Sequence, residues 1–179
     1  MNDKLARALH YLIHLAQERR WPLGTVKLAK SLVLSEAASL YHRERTITRA
    51  KIVKAPHGPI PDQFEEHLRY LETAGKIKIS EGDQRYEPTG YESLSPPDMS
   101  GFDGEELEIL ADIGETCCKK YTATALSDLT HNYYWKIVGM GEEIPVAAYL
   151  QPEDFEGPPM SDEETAQLDQ AMREAGLNA

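Results

Sequence analysis

Apolar residues recur at helical spacing over much of the first quarter of the chain. Residues 2–19 are predicted to form an amphipathic helix whose buried face carries Leu5, Ala8, Leu12, Leu15 and Ala16. A second helix is predicted from Thr25, its expected N-cap, to about Tyr41. That helix is apolar around much of its circumference, so we expect it to be the central helix of the core.

The pattern changes after this helix pair. Residues 42–60 have no helical period and are predicted to be a basic connection. Pro61 suits the first turn of a third helix, where its missing N–H is not needed, and Gly75 suits the end of that helix. Residues 76–89 then alternate as a β-hairpin would, with Gly82–Asp83 in the turn.

The rest of the chain again favours helices. Asp103 and Glu106 have the spacing of a capping box at the start of a fourth helix, and a fifth helix is predicted from Thr122 or Thr124. Residues 141–159 are predicted to be extended, and a weak acidic helix is predicted after Ser161. The expected fold class is therefore mainly α, a compact helical domain with a small β-hairpin.

We expect two parts, a domain over residues 1–150 and an acidic C-terminal extension over residues 151–179.

The stretch VKAPHGPIP, residues 53–61, stands out because three prolines and a glycine surround one histidine. A phosphate cradle needs several convergent N–H donors, and the prolines remove too many of them. The residues before Pro56 and Pro59 are pushed towards extended geometry, and Gly58 is the most permissive residue present. We therefore predict a rigid corner with His57 exposed at its apex, as a contact residue and not as a catalyst.

The net charge of −11 is unevenly spread along the chain. Residues 1–60 contain eleven Lys and Arg against four Asp and Glu, whereas residues 101–179 contain four against seventeen. Such asymmetry is typical of a protein with an interaction partner. No apolar run is long enough to span a membrane, and the first helix carries charges that a signal peptide would lack, so we expect a cytoplasmic protein.

Recognisable catalytic patterns are missing from the sequence. There is no Gly-x-Ser-x-Gly elbow, and His10 and His14 have the spacing of two metal ligands without a third. Cys117 and Cys118 are adjacent and are expected to be one buried and one exposed thiol on a helix. The sequence therefore predicts no metal, no cofactor and no enzymatic activity.

One alternative is a winged-helix-like DNA-binding regulator, because the third helix and the hairpin have the order of a recognition helix and a wing. That helix carries Asp62, Glu65, Glu66 and Glu72 against one Arg69, which would repel phosphates. The connection of about nineteen residues before it is also far longer than the turn of a helix-turn-helix. DNA is therefore not the expected partner.

Two stretches carry a resemblance to a known family. They are ITRAKIVKAPHGPIPDQFEEHLRYLETAGKI and FDGEELEILADIGETCCKKYTATALSDLTHNYYWKIV, followed by EEIPVAAY. Over about residues 1–150 the chain resembles the Panacea domain, the SocA-like antitoxin family, which includes many phage-associated proteins. The resemblance implies that the chain neutralises a protein toxin by direct contact, and some members act as adaptors that hand a toxin to a protease. The family often has an aspartate where this chain has Glu36.

Two groups of residues are singled out as candidates. An arginine fork binds carboxylates and stacks on rings, so we expect the partner contact to use the basic segment: Arg43, Arg45, Arg49, Lys51, Lys54 and His57. The alternative is that these residues bind the protein's own acidic half. The second group is structural, with His131 and Trp135 expected to close the core against the corner: Glu36, Pro56, Gly58, Pro59, His131 and Trp135. A partly buried acid such as Glu36 normally pairs with a base or with backbone donors.

Overall fold

The protein is described by a computed structural model that covers residues 2–80, 82 and 89–151. Within these residues the fold is mainly helical, as predicted, and it contains two small antiparallel hairpins where one was predicted. The elements are α1 Asp3–Glu18, α2 Thr25–Arg43, β1 Ile52–Ala55, β2 Gly58–Pro61, α3 Phe64–Thr73, β3 Ile77–Ser80, β4 Gly90–Ser93, α4 Gly104–Lys120, α5 Ala123–Thr130, α6 Tyr133–Ile137 and a 3-10 helix over Val146–Leu150. In this part of the chain, no helix combines the length and apolar character that a membrane crossing requires.

Helix α2 is the centre of the core. It packs against α1, α4, α5, β2 and the 3-10 helix, and Leu28, Leu32 and Val33 are buried on it. Its predicted cap is wrong: Gly24 is the N-cap residue, and the Thr25 hydroxyl instead pairs with the Tyr91 hydroxyl at 2.8 Å. The many-sided burial of α2 follows from the apolar residues around most of its circumference.

The segment predicted as an irregular connection contains the first hairpin. Strands β1 and β2 pair antiparallel, with Ile52 opposite Pro61 and Ala55 opposite Gly58, and the turn is at residues 56–57. The prediction that Pro61 lies in the first turn of the third helix is wrong, since it ends β2 and α3 begins at Phe64. The outer edge of β1 is covered by the chain around Glu143, where extended structure was predicted; a 3-10 helix replaces it from Val146 onward.

The second hairpin begins at β3 as predicted, and β3 pairs with β4, which follows the residues 85–89 predicted as the return strand. Residues 83–88, which include part of the predicted turn, lie outside the described residues. Ser93 ties β4 to α1, because its hydroxyl contacts His10 Nε2 at 3.2 Å and His14 Nδ1 at 3.1 Å. Its N–H also donates to Gln17 Oε1 at 2.7 Å. The histidine pair thus holds a hairpin.

Helix α4 has the predicted capping box of Asp103 and Glu106. Both Cys117 and Cys118 are buried, so the prediction of one exposed thiol is wrong, and burial raises the pKa of Cys118 to about 11.

The predicted fifth helix is two helices. Thr122 caps α5, which ends at Thr130, and the Asn132 side chain then caps α6 by accepting from the Trp135 N–H at 3.0 Å. The break follows from this second cap, because Asn132 satisfies an N–H at the start of a new helix. The predicted acidic helix after Ser161 lies outside the described residues.

Candidate binding site

Glu36 organises the loop over residues 44–49 from inside the core. Its carboxylate is fully buried on α2 and accepts hydrogen bonds from Ile47 N–H at 2.6 Å and from Thr48 N–H at 3.0 Å, as well as from the Thr48 hydroxyl. Burial raises the pKa of Glu36, and these hydrogen bonds oppose the rise because they favour the carboxylate. Of the two partners expected for a buried acid, a base or backbone donors, Glu36 has backbone donors, together with one hydroxyl.

The loop is fixed at further points along its length. The Ser39 hydroxyl donates to the Arg45 carbonyl at 2.7 Å, and the Asn2 side chain donates to the Thr48 carbonyl at 2.8 Å. Both ends of the loop turn through left-handed residues, Glu44 at φ 56° and Arg49 at φ 58°. Non-glycine residues rarely adopt this conformation unless the surrounding contacts impose it. These contacts fix the shape of the loop.

The loop forms one wall of a cleft of about 630 Å³. The other walls are the first turn of α1 and the start of α4 with the residues before it. Leu40, Ile47 and Phe102 supply its apolar surface. Its charged groups are the cations Lys4, Arg45 and Arg49 and the acids Glu44, Asp103 and Glu106.

Arg43, predicted to be an exposed contact residue, is an internal ion-pair partner. Its side chain is only 6% exposed, and its guanidinium pairs with Asp103, with Glu105 at 3.0 Å and with Glu106 at 3.5 Å. The C-terminal end of α2 is thereby joined to the N-terminal end of α4. For this residue the alternative, binding to the protein's own acidic half, describes the structure.

The other basic residues differ in how far they are engaged. The Lys54 amine donates to the Val138 carbonyl at 2.8 Å and lies over the Trp135 ring, so it too has internal partners. Lys51 is exposed and pairs with Glu143 at 3.0 Å.

Two arginines remain at the cleft. Arg45 is 63% exposed and pairs with Asp103 at 3.1 Å. Arg49 is exposed and forms no ion pair with a described residue. These two guanidinium groups are therefore the predicted contact residues that the structure places together in one cleft.

The glycine-proline corner is packed around Gly58. Its φ is +100°, and a Cβ atom there would lie 2.4 Å from Lys30 Nζ and 2.8 Å from His131 Nε2, so only glycine fits. The His131 ring stacks on Trp135 with centroids 3.8 Å apart. Pro59 is buried, whereas Pro56 and His57 are exposed in the turn.

Lys30 is the residue of this region that the sequence analysis missed. Its side chain is 1% exposed, and its amine donates to the Pro59 carbonyl at 2.7 Å. Burial lowers the pKa of Lys30 to about 7. The available signal was a lysine on a helix that is apolar around much of its circumference, where few positions can reach solvent.

Metal binding has no support in the part of the chain that the structure describes. No group of three or more His, Cys, Asp or Glu side chains there could hold a metal ion. His10 and His14, the pair with metal-ligand spacing, both contact the Ser93 hydroxyl.

One comparison with known proteins gives a match. The family model described as "Antitoxin SocA-like, Panacea domain" matches residues 28–136, which is more than half of the chain. The match runs from α2 to α6 and includes the loop over residues 44–49, the corner hairpin, His131 and Trp135. No curated protein and no solved structure matches the chain significantly. The chain therefore belongs to the family of SocA-like antitoxins that is defined by the Panacea domain.

Proposed function

We propose that this protein is an antitoxin that neutralises a partner toxin by direct contact and performs no catalysis. Membership of the family supports an antitoxin-related role. The observation that carries direct contact is the fixed loop over residues 44–49, which presents Arg45 and Arg49 to solvent beside an apolar surface. A loop whose backbone is already fixed loses little backbone entropy on binding, and arginine guanidinium groups suit a protein interface.

The basic residues divide into two roles under this proposal. Arg45 and Arg49 are the main contact residues, with Lys51 and His57 as further exposed candidates on the same segment of the chain. Arg43 serves the scaffold, since its guanidinium is already engaged by α4.

DNA binding is the less favoured function. Helix α3 buries Phe64, Leu68 and Leu71 and exposes Glu65 and Glu66. An exposed face with these carboxylates opposes contact with phosphates.

The test is co-expression with the product of the neighbouring reading frame in cells. If that product is a toxin, wild-type protein should restore growth, and the Arg45→Glu/Arg49→Glu variant should fail while its melting temperature is unchanged. Arg69→Glu/Lys78→Glu makes the same change in charge on α3 and β3 and should still restore growth. Failure of the wild type to protect cells or to form a complex with the purified toxin would refute the proposal.

The same experiment separates two modes of neutralisation. A direct inhibitor leaves the amount of toxin in the cell unchanged, whereas an adaptor for a protease lowers it. Following the toxin by immunoblot after synthesis is stopped distinguishes the two, and a protease-deficient strain provides the control.

A further inference from the structure

The acids of the cleft are for the most part neutralised within the protein. Asp103 pairs with Arg43 and Arg45, and Glu106 pairs with Lys4 at 2.7 Å and with Arg43 at 3.5 Å. The third acid, Glu44, is exposed and forms no ion pair with a described residue. The cleft therefore has one acid without an ion-pair partner among the described residues.

The two arginines of the cleft have N–H donors that remain available to a ligand. Arg49 has no acid partner among the described residues, and Arg45 shares its only such partner, Asp103, with Arg43. An exposed ion pair contributes only about 0–1 kcal/mol, so Arg45 can exchange Asp103 for another carboxylate at little cost. Two guanidinium forks are thus available on one rigid loop.

An apolar surface lies between these charges. Phe102 is partly buried, with the Lys4 amine 5.0 Å from its ring centroid, and Leu40 and Ile47 also line the cleft. A ligand that combines an acid with a neighbouring apolar side chain would satisfy both features.

We propose that this cleft binds an acidic segment of the partner protein, in which an Asp or Glu side chain is flanked by an apolar residue. The inference rests on the proposed function, because it names the chemistry of the toxin surface that the antitoxin contacts. A guanidinium would hold that carboxylate through two parallel N–H donors, and the apolar neighbour would cover Phe102. A nucleic acid fits less well, since its charge repeats at every phosphate, whereas the cleft offers two available guanidinium groups beside an apolar surface.

The experiment needs no toxin. Peptides are selected from a random display library on the purified full chain at low salt, and the enriched sequences are synthesised and titrated by calorimetry. We expect enrichment of Asp or Glu next to an apolar residue. Arg49→Glu should raise the dissociation constant about tenfold or more, because a hydrogen bond to a charged group is lost and repulsion replaces it. Glu44→Gln should tighten binding, and Arg69→Glu should leave it unchanged.

Several results would overturn the inference. They are enrichment of basic or purely apolar peptides, an unchanged affinity in Arg49→Glu, and displacement of the peptide by a mixed-sequence single-stranded oligonucleotide. If acidic peptides are selected but the protein does not protect cells, only the antitoxin role is refuted. If the protein protects cells but no acidic peptides are selected, only the role of the cleft is refuted. The two proposals can therefore fail separately.

Discussion

Lys30 keeps an amine in the core with one described acceptor, the Pro59 carbonyl. Burial lowers its pKa from 10.5 to about 7. Below about pH 7 the folded and unfolded chains both hold this proton, and the cost of burying the charge is fully present. Between about pH 7 and 10.5 the folded chain has lost the proton and the unfolded chain retains it. The free energy of unfolding contributed by this group therefore rises with pH across that window.

We predict that Lys30→Met removes this rise. The free energy of unfolding of the wild type should increase relative to that of the variant from pH 7 upward, with a slope of at most about 1.4 kcal/mol per pH unit. Urea denaturation at several pH values below and above about pH 7 measures the difference. Below about pH 7, the difference in free energy of unfolding between the wild type and Lys30→Met should not change with pH.

Lys78→Met is the matched control, because Lys78 is exposed on β3. Its difference from the wild type should not depend on pH in this range. A pH-independent difference for Lys30→Met as well would show that the buried amine does not titrate as its surroundings indicate.

Single residues differ in how well the sequence foretells their surroundings. Glu36 could be singled out because an acid on an apolar helix needs donors, and Gly58 because it stands between prolines. The burial of Lys30 could not be predicted in the same way, since it depends on β2 lying across α2. Nothing in the local pattern around Lys30 specifies that distant contact.

At the scale of elements, the presence of helices α1 to α5 was predictable, whereas α6 and the first hairpin were not. Helix periodicity predicted α1, and the capping residues Asp103 and Thr122 predicted the starts of α4 and α5, within a residue or two. Residues 52–55 and 58–61 show no clear alternation of apolar and polar side chains. The prolines also favour a loop when only the sequence is known. In the structure, the N–H groups that face β1 belong to the residues that alternate with Pro59 and Pro61, as the hydrogen bond from the Asp62 N–H to the Lys51 carbonyl shows.

The loop over residues 44–49 gives a prediction for an element. Glu36→Gln leaves one acceptor oxygen and sets an NH₂ group against backbone donors. We expect the free energy of unfolding to fall by about 1.5–3 kcal/mol, the range for hydrogen bonds to a charged group. The amide protons of Ile47 and Thr48 should exchange faster with solvent, which hydrogen-exchange NMR measures residue by residue.

Glu72→Gln provides the comparison for that variant. The Glu72 carboxylate accepts one backbone hydrogen bond, from Ile79 at 3.1 Å, in an exposed setting. Its removal should change stability by no more than about 0.5 kcal/mol. Unchanged exchange at Thr48 in Glu36→Gln would mean that other contacts, such as the one from Asn2, suffice to hold the loop.

At the scale of the whole molecule, part of the charge asymmetry is used internally. The surplus of cations in residues 1–60 meets the acids of α4 at Arg43, whose guanidinium lies between the two helices. Arg49, six residues further on, has no such partner among the described residues. The basic segment is therefore both an internal connection and a candidate interface, and charge counting along the sequence cannot separate the two.

Substitution can separate them. Arg43→Met removes charged hydrogen bonds from a side chain that is almost fully buried, so the free energy of unfolding should fall by about 1.5–3 kcal/mol. Arg49→Met removes an exposed side chain and should change it by no more than about 0.5 kcal/mol. Because buried pairs are screened less than exposed ones, most of the loss in Arg43→Met should persist at high salt. Urea denaturation of both variants at low and high salt measures these differences. If Arg43→Met is as stable as the wild type, Arg43 returns to the candidate contact residues. A large loss of stability in Arg49→Met would show that Arg49 holds the cleft together and is not free to bind the partner.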